Sequence, residues 1–289
     1  DCPSNATDTH WIETLANLPS VRWVDANYHL SLAAPPNDLH PNQWYLDNIG
    51  QKIGGIDGIV GADISTIEAW GVQVGSAEVI VAIPDTGIYL PHVELQNNIW
   101  TNPGELCLNG IDDDGNGYID DCNGWDFADN DPDVSPLNIN AESGCPKGHG
   151  TFIAGLIGAD TVNDMGIAGL NWNIKMMPLK IASDESCSIK VSGLLDAIYY
   201  ARDNGAQIVS TSFAFTEYVE TLEMAFAAAS EAGLFVTISA GNQGVDVNKV
   251  ESYPVDFEHS GTLVVGASNN RDEATAFTNF GNPVDLFGP

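Results

Sequence analysis

Apolar residues recur along the chain in runs that alternate between strand-like and helix-like spacing. Residues 79–84 form a continuous apolar run, which is typical of a strand buried on both faces of a parallel sheet. Residues 190–204 place apolar side chains on one helical face, and Gly205 follows as a helix stop. The same patterns predict further strands at 174–181, 207–213, 234–239 and 263–267, and helices at 151–158 and 218–232.

This alternation predicts an α/β fold, a three-layer sandwich with a mostly parallel central sheet and helices on both faces. An N-terminal segment, residues 1–34, contains a strand-like run at 21–24. A proline-rich joint at 33–38 follows it and indicates a linker. We therefore expect a small N-terminal unit at 1–34 and one large domain at 35–289.

Composition describes an ordinary folded protein with a strongly acidic surface. Hydrophobic residues make up 44% of the 289 residues, and no apolar run approaches the ~18 residues needed to cross a bilayer. Forty acidic residues against nine basic ones give a net charge of −31, so we expect neither nucleic-acid nor membrane partners. The acids either form a solvated surface suited to a salty or extracellular medium, or bind calcium where they cluster.

Five cysteines are present, and no Cys-x-x-Cys pair occurs among them, which argues against zinc or thiol–disulfide chemistry. Cys107 and Cys122 bracket an acidic loop and are candidates for one disulfide, while Cys145 and Cys187 could form another. Cys2 is left without an assigned partner. Buried free thiols are the alternative.

Three polar residues follow predicted strands or begin a predicted helix, at positions where α/β sheets carry their chemistry. Asp85 follows the strand at 79–84 and could accept a hydrogen bond from an imidazole. His149 lies between two glycines at a predicted helix start, unlike the other five histidines. Asn242 follows the strand at 234–239, where its amide either donates to an oxyanion or bonds its own backbone.

An aspartic protease is the competing interpretation of Asp85-Thr86-Gly87, since that triplet also marks such enzymes. Their mechanism needs a second triplet, which this sequence lacks, and their chains are mostly β. The alternating pattern of strands and helices therefore argues against this class.

Together the blocks Asp-Thr-Gly, Gly-His-Gly-Thr and Ser-Ala-Gly-Asn resemble the subtilisin-type serine proteases, the subtilases, in order and in spacing. The resemblance runs from about residue 35 to the end and implies a subtilisin-like fold. It implies that Asp85 is the orienting acid, His149 the general base and Asn242 the oxyanion donor of a serine endopeptidase. Polypeptide substrates would pair with an edge strand; the substrate-binding residues implied are Ser212, Phe213, Ala214, Ser239, Ala240 and Gly241.

Several features depart from the family pattern. Phe152 stands where a second histidine is usual, and Ala214 replaces a common glycine beside the primary specificity pocket. The family's Gly-Thr-Ser-Met-Ala block lies after the segment that matches 284–289, so we expect the chain to be C-terminally incomplete and inactive alone. Residues 1–34 resemble the tail of an inhibitory propeptide, which would make the chain's own propeptide its inhibitor.

A second pattern, Asp-Asp-Asp-Gly-Asn-Gly-Tyr-Ile-Asp-Asp at 112–121, has oxygen ligands at alternate positions, as loops that bind Ca²⁺ do. Position twelve is Asn123 instead of the glutamate of an EF-hand. The loop therefore resembles calcium loops inserted in some subtilases, and an acidic solvent loop is the alternative. The candidate ligands are Asp112, Asp114, Asn116 and the Tyr118 carbonyl, with Asp120 or Asp121 closing the shell.

Two further calcium sites are implied by the resemblance. Asp126, Asp129 and Asp131 match a site of thermitase-like subtilases. A third site would use carbonyls of the 160–167 loop with Asp38, Glu94 and Asn163, where Glu94 replaces the usual aspartate.

The resulting prediction is a secreted, monomeric, calcium-stabilised serine endopeptidase. A non-catalytic binding protein on the same scaffold is the main alternative. A calcium-binding interaction module would leave Asp85, His149 and Asn242 unexplained.

Overall fold

A computed structural model describes residues 14–19, 35–136, 148–257 and 259–289. The strand predicted at 21–24 lies outside this part, as does most of the N-terminal segment 1–34. A short antiparallel hairpin, β1 (Lys52–Ile53) with β2 (Ile56–Asp57), opens the larger region. None of the described helices is long and apolar enough to span a bilayer.

Seven strands form the central sheet, and every neighbouring pair in it runs parallel. Their order across the sheet is β4-β5-β3-β6-β7-β8-β9. The bounds are β3 Gly75–Asp85, β4 Trp125–Asp126, β5 Asn173–Lys180, β6 Ile208–Thr211, β7 Phe235–Ser239, β8 Thr262–Ala267 and β9 Leu286–Gly288. The helices in the described ranges with assigned bounds are α1 Thr66–Trp70, α2 His149–Gly158, α3 Val191–Asp203 and α4 Glu220–Glu231.

Successive side chains on each strand point to opposite faces of the sheet, so a wholly apolar strand serves two cores. On β3, Val81 and Ile83 pack with Ala154 of α2 on one face. Ala82 between them packs with Leu194 of α3 and Phe226 of α4 on the other. The predicted three-layer α/β sandwich is confirmed.

The same alternation points the side chain of Asp85 toward helix α2. Asp85 ends β3 and lies an even number of positions after Val81 and Ile83. Its side chain is therefore on the same face of the sheet as theirs, the face that α2 covers. Helix α2 begins at His149. Because β3, β6 and β7 are parallel neighbours, the residues that follow them lie along one edge of the sheet.

Candidate active site

Asp85 and His149 are in direct contact at the carboxyl edge of the sheet. Nδ1 of His149 lies 2.9 Å from both carboxylate oxygens of Asp85. Oδ1 of Asp85 also accepts the backbone N–H of Thr86 at 2.6 Å, which fixes the carboxylate. Since a carboxylate only accepts, Nδ1 carries the proton, and Nε2 is the nitrogen left to act as a base.

The two side chains of this pair differ in solvent exposure. The side chain of Asp85 is 5% exposed and that of His149 is 32% exposed, so the acid is enclosed while the imidazole reaches solvent. The hydrogen bond that His149 donates to Asp85 raises the pKa of His149, against an opposing effect of burial. The buried carboxylate thus favours the imidazolium that a general base becomes after taking a proton.

Gly150 permits this close approach. A Cβ on Gly150 would lie 2.5 Å from the Gly87 carbonyl oxygen and 3.0 Å from Cβ of Asp85, too close for any side chain. The Gly150 N–H donates instead to Oγ1 of Thr86 at 3.2 Å. Gly150 therefore allows the first turn of α2 to pack directly against the turn at 85–87.

A cavity of about 180 Å³ opens beside the pair. Ser212 and Phe213, which follow β6, line it together with Asp85 and His149. The remaining lining is mostly apolar and includes Pro84, Ile181, Ala182 and Ile189. Ala214 is exposed and follows this lining segment. Of the six residues expected to bind substrate, Ser212 and Phe213 therefore lie beside Asp85 and His149.

Asn242 lies on the same edge, beyond β7 and two strands from β3, which places the two strands about 10 Å apart. Ser239, Gly241 and Asn242 line a separate cavity of about 140 Å³. Asn242 is exposed, and Ala240 is buried beneath the turn.

Asn279 holds that turn, and the sequence analysis did not identify it. Its side-chain amide donates to the Ala240 carbonyl at 2.9 Å, and its Oδ1 accepts the N–H groups of Gln243 and Val245. Gly241 adopts a φ of 100° there, and a Cβ would meet Nδ2 of Asn279 at 2.5 Å. Asn279 lies 37 positions after Asn242, and no sequence pattern links it to this turn.

Comparison with known proteins identifies the family. A sequence profile described as the Subtilase family (Peptidase S8) matches residues 76–288. The chain belongs to the subtilase family.

Curated relatives agree with this assignment. A thermophilic serine proteinase of Bacillus sp. (strain AK1) is 30% identical over 278 residues, which cover 96% of this chain and 57% of that protein. Thermitase of Thermoactinomyces vulgaris is 30% identical over 226 residues, covering 78% of this chain and 67% of thermitase. This subtilase thus spans only part of the length of each relative.

A solved protease structure from Pseudoalteromonas arctica PAMC 21717 superposes with a TM-score of 0.63 at 24% identity. The superposition covers 89% of this chain and 72% of the other. A likeness at this identity shows the fold alone, and that fold agrees with the sheet described above.

The acidic loop of this subtilase is closed by a disulfide between Cys107 and Cys122, with Cα atoms 5.7 Å apart. Asp112 and Asp114 lie together with a third acid, Glu105, which the sequence analysis missed; each offers a carboxylate oxygen within 4.8 Å of the others. Cys187 is disulfide-bonded as well, while Cys145 lies outside the described residues.

The other loop residues face different partners. Asn116 donates from its amide to Asp114 and Asp121, and the Tyr118 ring packs against Trp125 and Tyr200. Asp120 accepts two backbone N–H groups, from Asn109 and Gly110. Asp121 is fully buried and accepts from Asn102, Asn116 and the Tyr200 hydroxyl.

A second acidic cluster contains Asp126 and Asp129, as expected, but its third member is Asp184. Asp131 is not part of the group, and its Oδ1 accepts the N–H of Asp133. The buried Lys180 places its ammonium 2.8 Å from Oδ2 of Asp126 and 2.7 Å from Oδ1 of Asp184. Burial opposes the charge of Lys180, but the two carboxylates outweigh it and raise its pKa. A lysine therefore already supplies a cation to this cluster.

The third candidate set is assembled as the resemblance implies. Asp38 and Glu94 are both buried, at 7% and 6% exposure. Asn163 joins them: its N–H donates to Asp38 and its amide to Glu94. Oδ1 of Asp38 is buried and has no hydrogen-bond partner, and neither acid pairs with a basic side chain among the described residues. An oxygen-rich site of this kind suits Ca²⁺.

Proposed function

We propose that this chain supplies the acid, the base and the oxyanion donor of a serine endopeptidase that acts on extended polypeptides. The observation that carries the proposal is the contact of His149 Nδ1 with both oxygens of Asp85, at the edge of the sheet where Ser212 and Phe213 line the same cavity. Family membership supports the reaction class.

In this mechanism Nε2 of His149 takes the proton of a serine hydroxyl as that oxygen attacks the scissile carbonyl. Asp85 keeps the imidazole in the correct tautomer and stabilises the imidazolium. The amide of Asn242 donates to the oxyanion, an interaction worth about 3 kcal/mol of barrier in comparable enzymes. Residues 212–214 and 239–241 would hold the substrate backbone on either side.

The serine of this mechanism is not assigned to any of the 289 residues, since the sequence contains no Gly-Thr-Ser segment. The test compares the 289-residue chain with the complete gene product in a fluorogenic casein assay. We expect no cleavage by the chain, and cleavage by the complete product that a serine-directed phosphonate blocks and His149→Ala abolishes. Phosphonate-sensitive cleavage by the chain alone, or an inactive complete product, would contradict the proposal.

We also propose that Ca²⁺ stabilises the fold. The acidic loop and the Asp38–Glu94 pair support this, because both hold buried carboxylates that no lysine or arginine of the described residues neutralises. Burying a carboxylate without a cation is costly. Asp112 and Asp114 would hold the ion in the loop, and Asp38, Glu94 and Asn163 would hold the other. At Asp126 and Asp129 a calcium ion would compete with the Lys180 ammonium, and Asp131 lies outside that cluster.

Removing calcium should lower the melting temperature. Free calcium at 100 times the dissociation constant adds about 2.7 kcal/mol of stability, because the ion binds only the folded form. For a domain of this size that corresponds to roughly 5–10 °C. Differential scanning calorimetry in CaCl₂ and in EDTA measures the shift, with NaCl holding ionic strength constant because the net charge of −31 responds to any salt. Equal melting temperatures would exclude all the candidate sites.

We further propose that the protein is secreted and monomeric and that residues 1–34 are the tail of its inhibitory propeptide. The Cys107–Cys122 disulfide supports an oxidising compartment. Mass spectrometry of the protein recovered from its host measures whether 1–34 has been removed.

A further inference from the structure

The loop from Glu105 to Asp121 concentrates negative charge and has no basic side chain of its own. It contains no lysine, arginine or histidine, and none of its acids forms an ion pair within the described part of the chain. Its acids are Glu105, Asp112, Asp113, Asp114, Asp120 and Asp121. Six like charges within 17 residues repel one another unless a cation joins them.

Five of these acids, the aspartates, accept protein donors at their carboxylates. Asp112 accepts the backbone N–H groups of Gly115, Asn116 and Gly117. Asp114 accepts the N–H of Asn116 and the side-chain amides of Asn102 and Asn116.

Each carboxylate oxygen of Asp120 accepts a backbone N–H group of the same loop. Asp121 accepts three side-chain donors, including the hydroxyl of Tyr200 on α3. Asp113 accepts the N–H of Leu106 and the amide of Asn109. These carboxylates shape the loop and tie it to α3.

Glu105 is different. It is 92% buried, as its 8% exposure indicates. Oε1 accepts the N–H groups of Asp113 at 2.8 Å and Asp114 at 3.4 Å. Oε2 is buried and has no hydrogen-bond partner in the described structure. A buried carboxylate oxygen without a donor is strongly unfavourable, and this carboxylate lies within 4.8 Å of Asp112 and Asp114.

We propose that Glu105 is a ligand of the calcium ion in this loop and completes a carboxylate set with Asp112 and Asp114. It takes the role that the sequence pattern gave to Asp120 or Asp121, and that a glutamate at position twelve has in an EF-hand. Glu105 precedes the 112–121 pattern in the sequence, whereas the glutamate of an EF-hand stands at the end of its pattern. Gly104 fits this arrangement, because a Cβ there would lie 2.7 Å from Cβ of Asp114. The inference rests on the proposed calcium dependence.

The test compares two substitutions that each remove one charge from the loop of the 289-residue chain. Glu105→Gln removes the proposed ligand, and Asp120→Asn removes an acid that faces backbone donors. Calcium bound per chain is measured by equilibrium dialysis over a range of free calcium. We expect Glu105→Gln to weaken one binding step at least ten-fold, with the other steps unchanged. Asp120→Asn should change that step by less than three-fold.

Glu105→Asp serves as a second variant in case the glutamine disturbs folding. It keeps the charge but withdraws the carboxylate by one methylene, and should weaken the same step several-fold. Melting in EDTA checks that the variants fold like the parent. Equal affinity of Glu105→Gln and the parent, or equal losses in Glu105→Gln and Asp120→Asn, would overturn the inference while leaving calcium binding intact. A parent chain that binds no calcium would overturn both this inference and the proposed calcium dependence, and leave the peptidase proposal untouched.

Discussion

Replacing Asp85 by asparagine should lower kcat/KM of the complete gene product by about 10⁴-fold. The carboxylate is the only acceptor described at His149 Nδ1, and an asparagine that turns its amide toward the ring holds the proton on the wrong nitrogen. Peptide hydrolysis at several substrate concentrations measures the loss, which should fall on kcat. Asp57→Asn, an exposed charge removal beside Lys52, is the control and should leave kcat unchanged.

A second test of the Asp85–His149 interaction does not require the serine nucleophile. In the 289-residue chain, NMR titration of the His149 ring should give a pKa above 6.5. Asp85→Asn should lower that pKa, because the hydrogen bond that the ring donates to the carboxylate is the largest cause of the shift. The raised pKa means that the folded chain binds protons more tightly than the unfolded chain. Its stabilising contribution is therefore full below pH 6.5 and is lost as pH rises through the folded value.

The stability difference between the parent chain and Asp85→Asn should accordingly shrink as pH rises through the folded pKa of His149. Chemical unfolding at a series of pH values measures it. A His149 pKa that is the same in both chains would show that the acid and base do not interact, and would remove the main support for the proposed function.

Most of the sheet was predictable because its central strands are buried on both faces. A continuous apolar run such as 79–84 has no other stable place in an α/β protein, and β3, β5, β7 and β8 were all predicted within a few residues. The edge strands were not. Strand β4 is two residues long and lies within an acidic stretch, and β9 is three residues with exposed side chains. Neither is long enough for an apolar period to appear.

The contact of Asp85 with His149 could also be predicted, because both follow from strand and helix boundaries in a parallel sheet. Contacts that depend on how distant segments pack together could not be predicted from the sequence. Glu105 lies outside the loop pattern that indicates calcium, and Asp184 joins Asp126 across a gap of 58 positions. Lys180 ends an apolar strand, where a sequence pattern would place the side chain in solvent, yet it is 1% exposed. Side-chain position at a strand end depends on which loops pack over it.

Lys180 gives the second large prediction: Lys180→Met should destabilise the fold by about 3–5 kcal/mol. The lysine is buried between Asp126, itself 1% exposed, and the half-exposed Asp184. Methionine fills a similar volume but leaves the Asp126 carboxylate buried without a counter-charge, and breaking such a pair typically costs this amount. For a domain of this size the melting temperature should fall by about 10 °C.

Lys249→Met is the matched control for the loss of one positive charge. Lys249 pairs with Asp246 at 2.8 Å, a distance equal to that of Lys180 from Asp126, but its side chain is 77% exposed. Exposed pairs contribute about 0–1 kcal/mol, so this variant should melt within about 2 °C of the parent. Chemical unfolding of both variants in EDTA, at one ionic strength, separates burial from net charge and from calcium.

A double variant distinguishes the unpaired charge from lost packing. Asp126→Asn keeps an oxygen for the N–H groups of Ala128 and Asp129, which Asp126 now accepts, but removes the buried negative charge. Combined with Lys180→Met it should recover most of the stability that the single substitution loses, because no uncompensated charge remains. If the double variant were as unstable as the sum of the two single variants, the cost would lie in packing around the lysine. If Lys180→Met instead matched Lys249→Met, the ammonium would not be the cation that holds Asp126, Asp129 and Asp184 together. That cluster would then be left to a divalent ion.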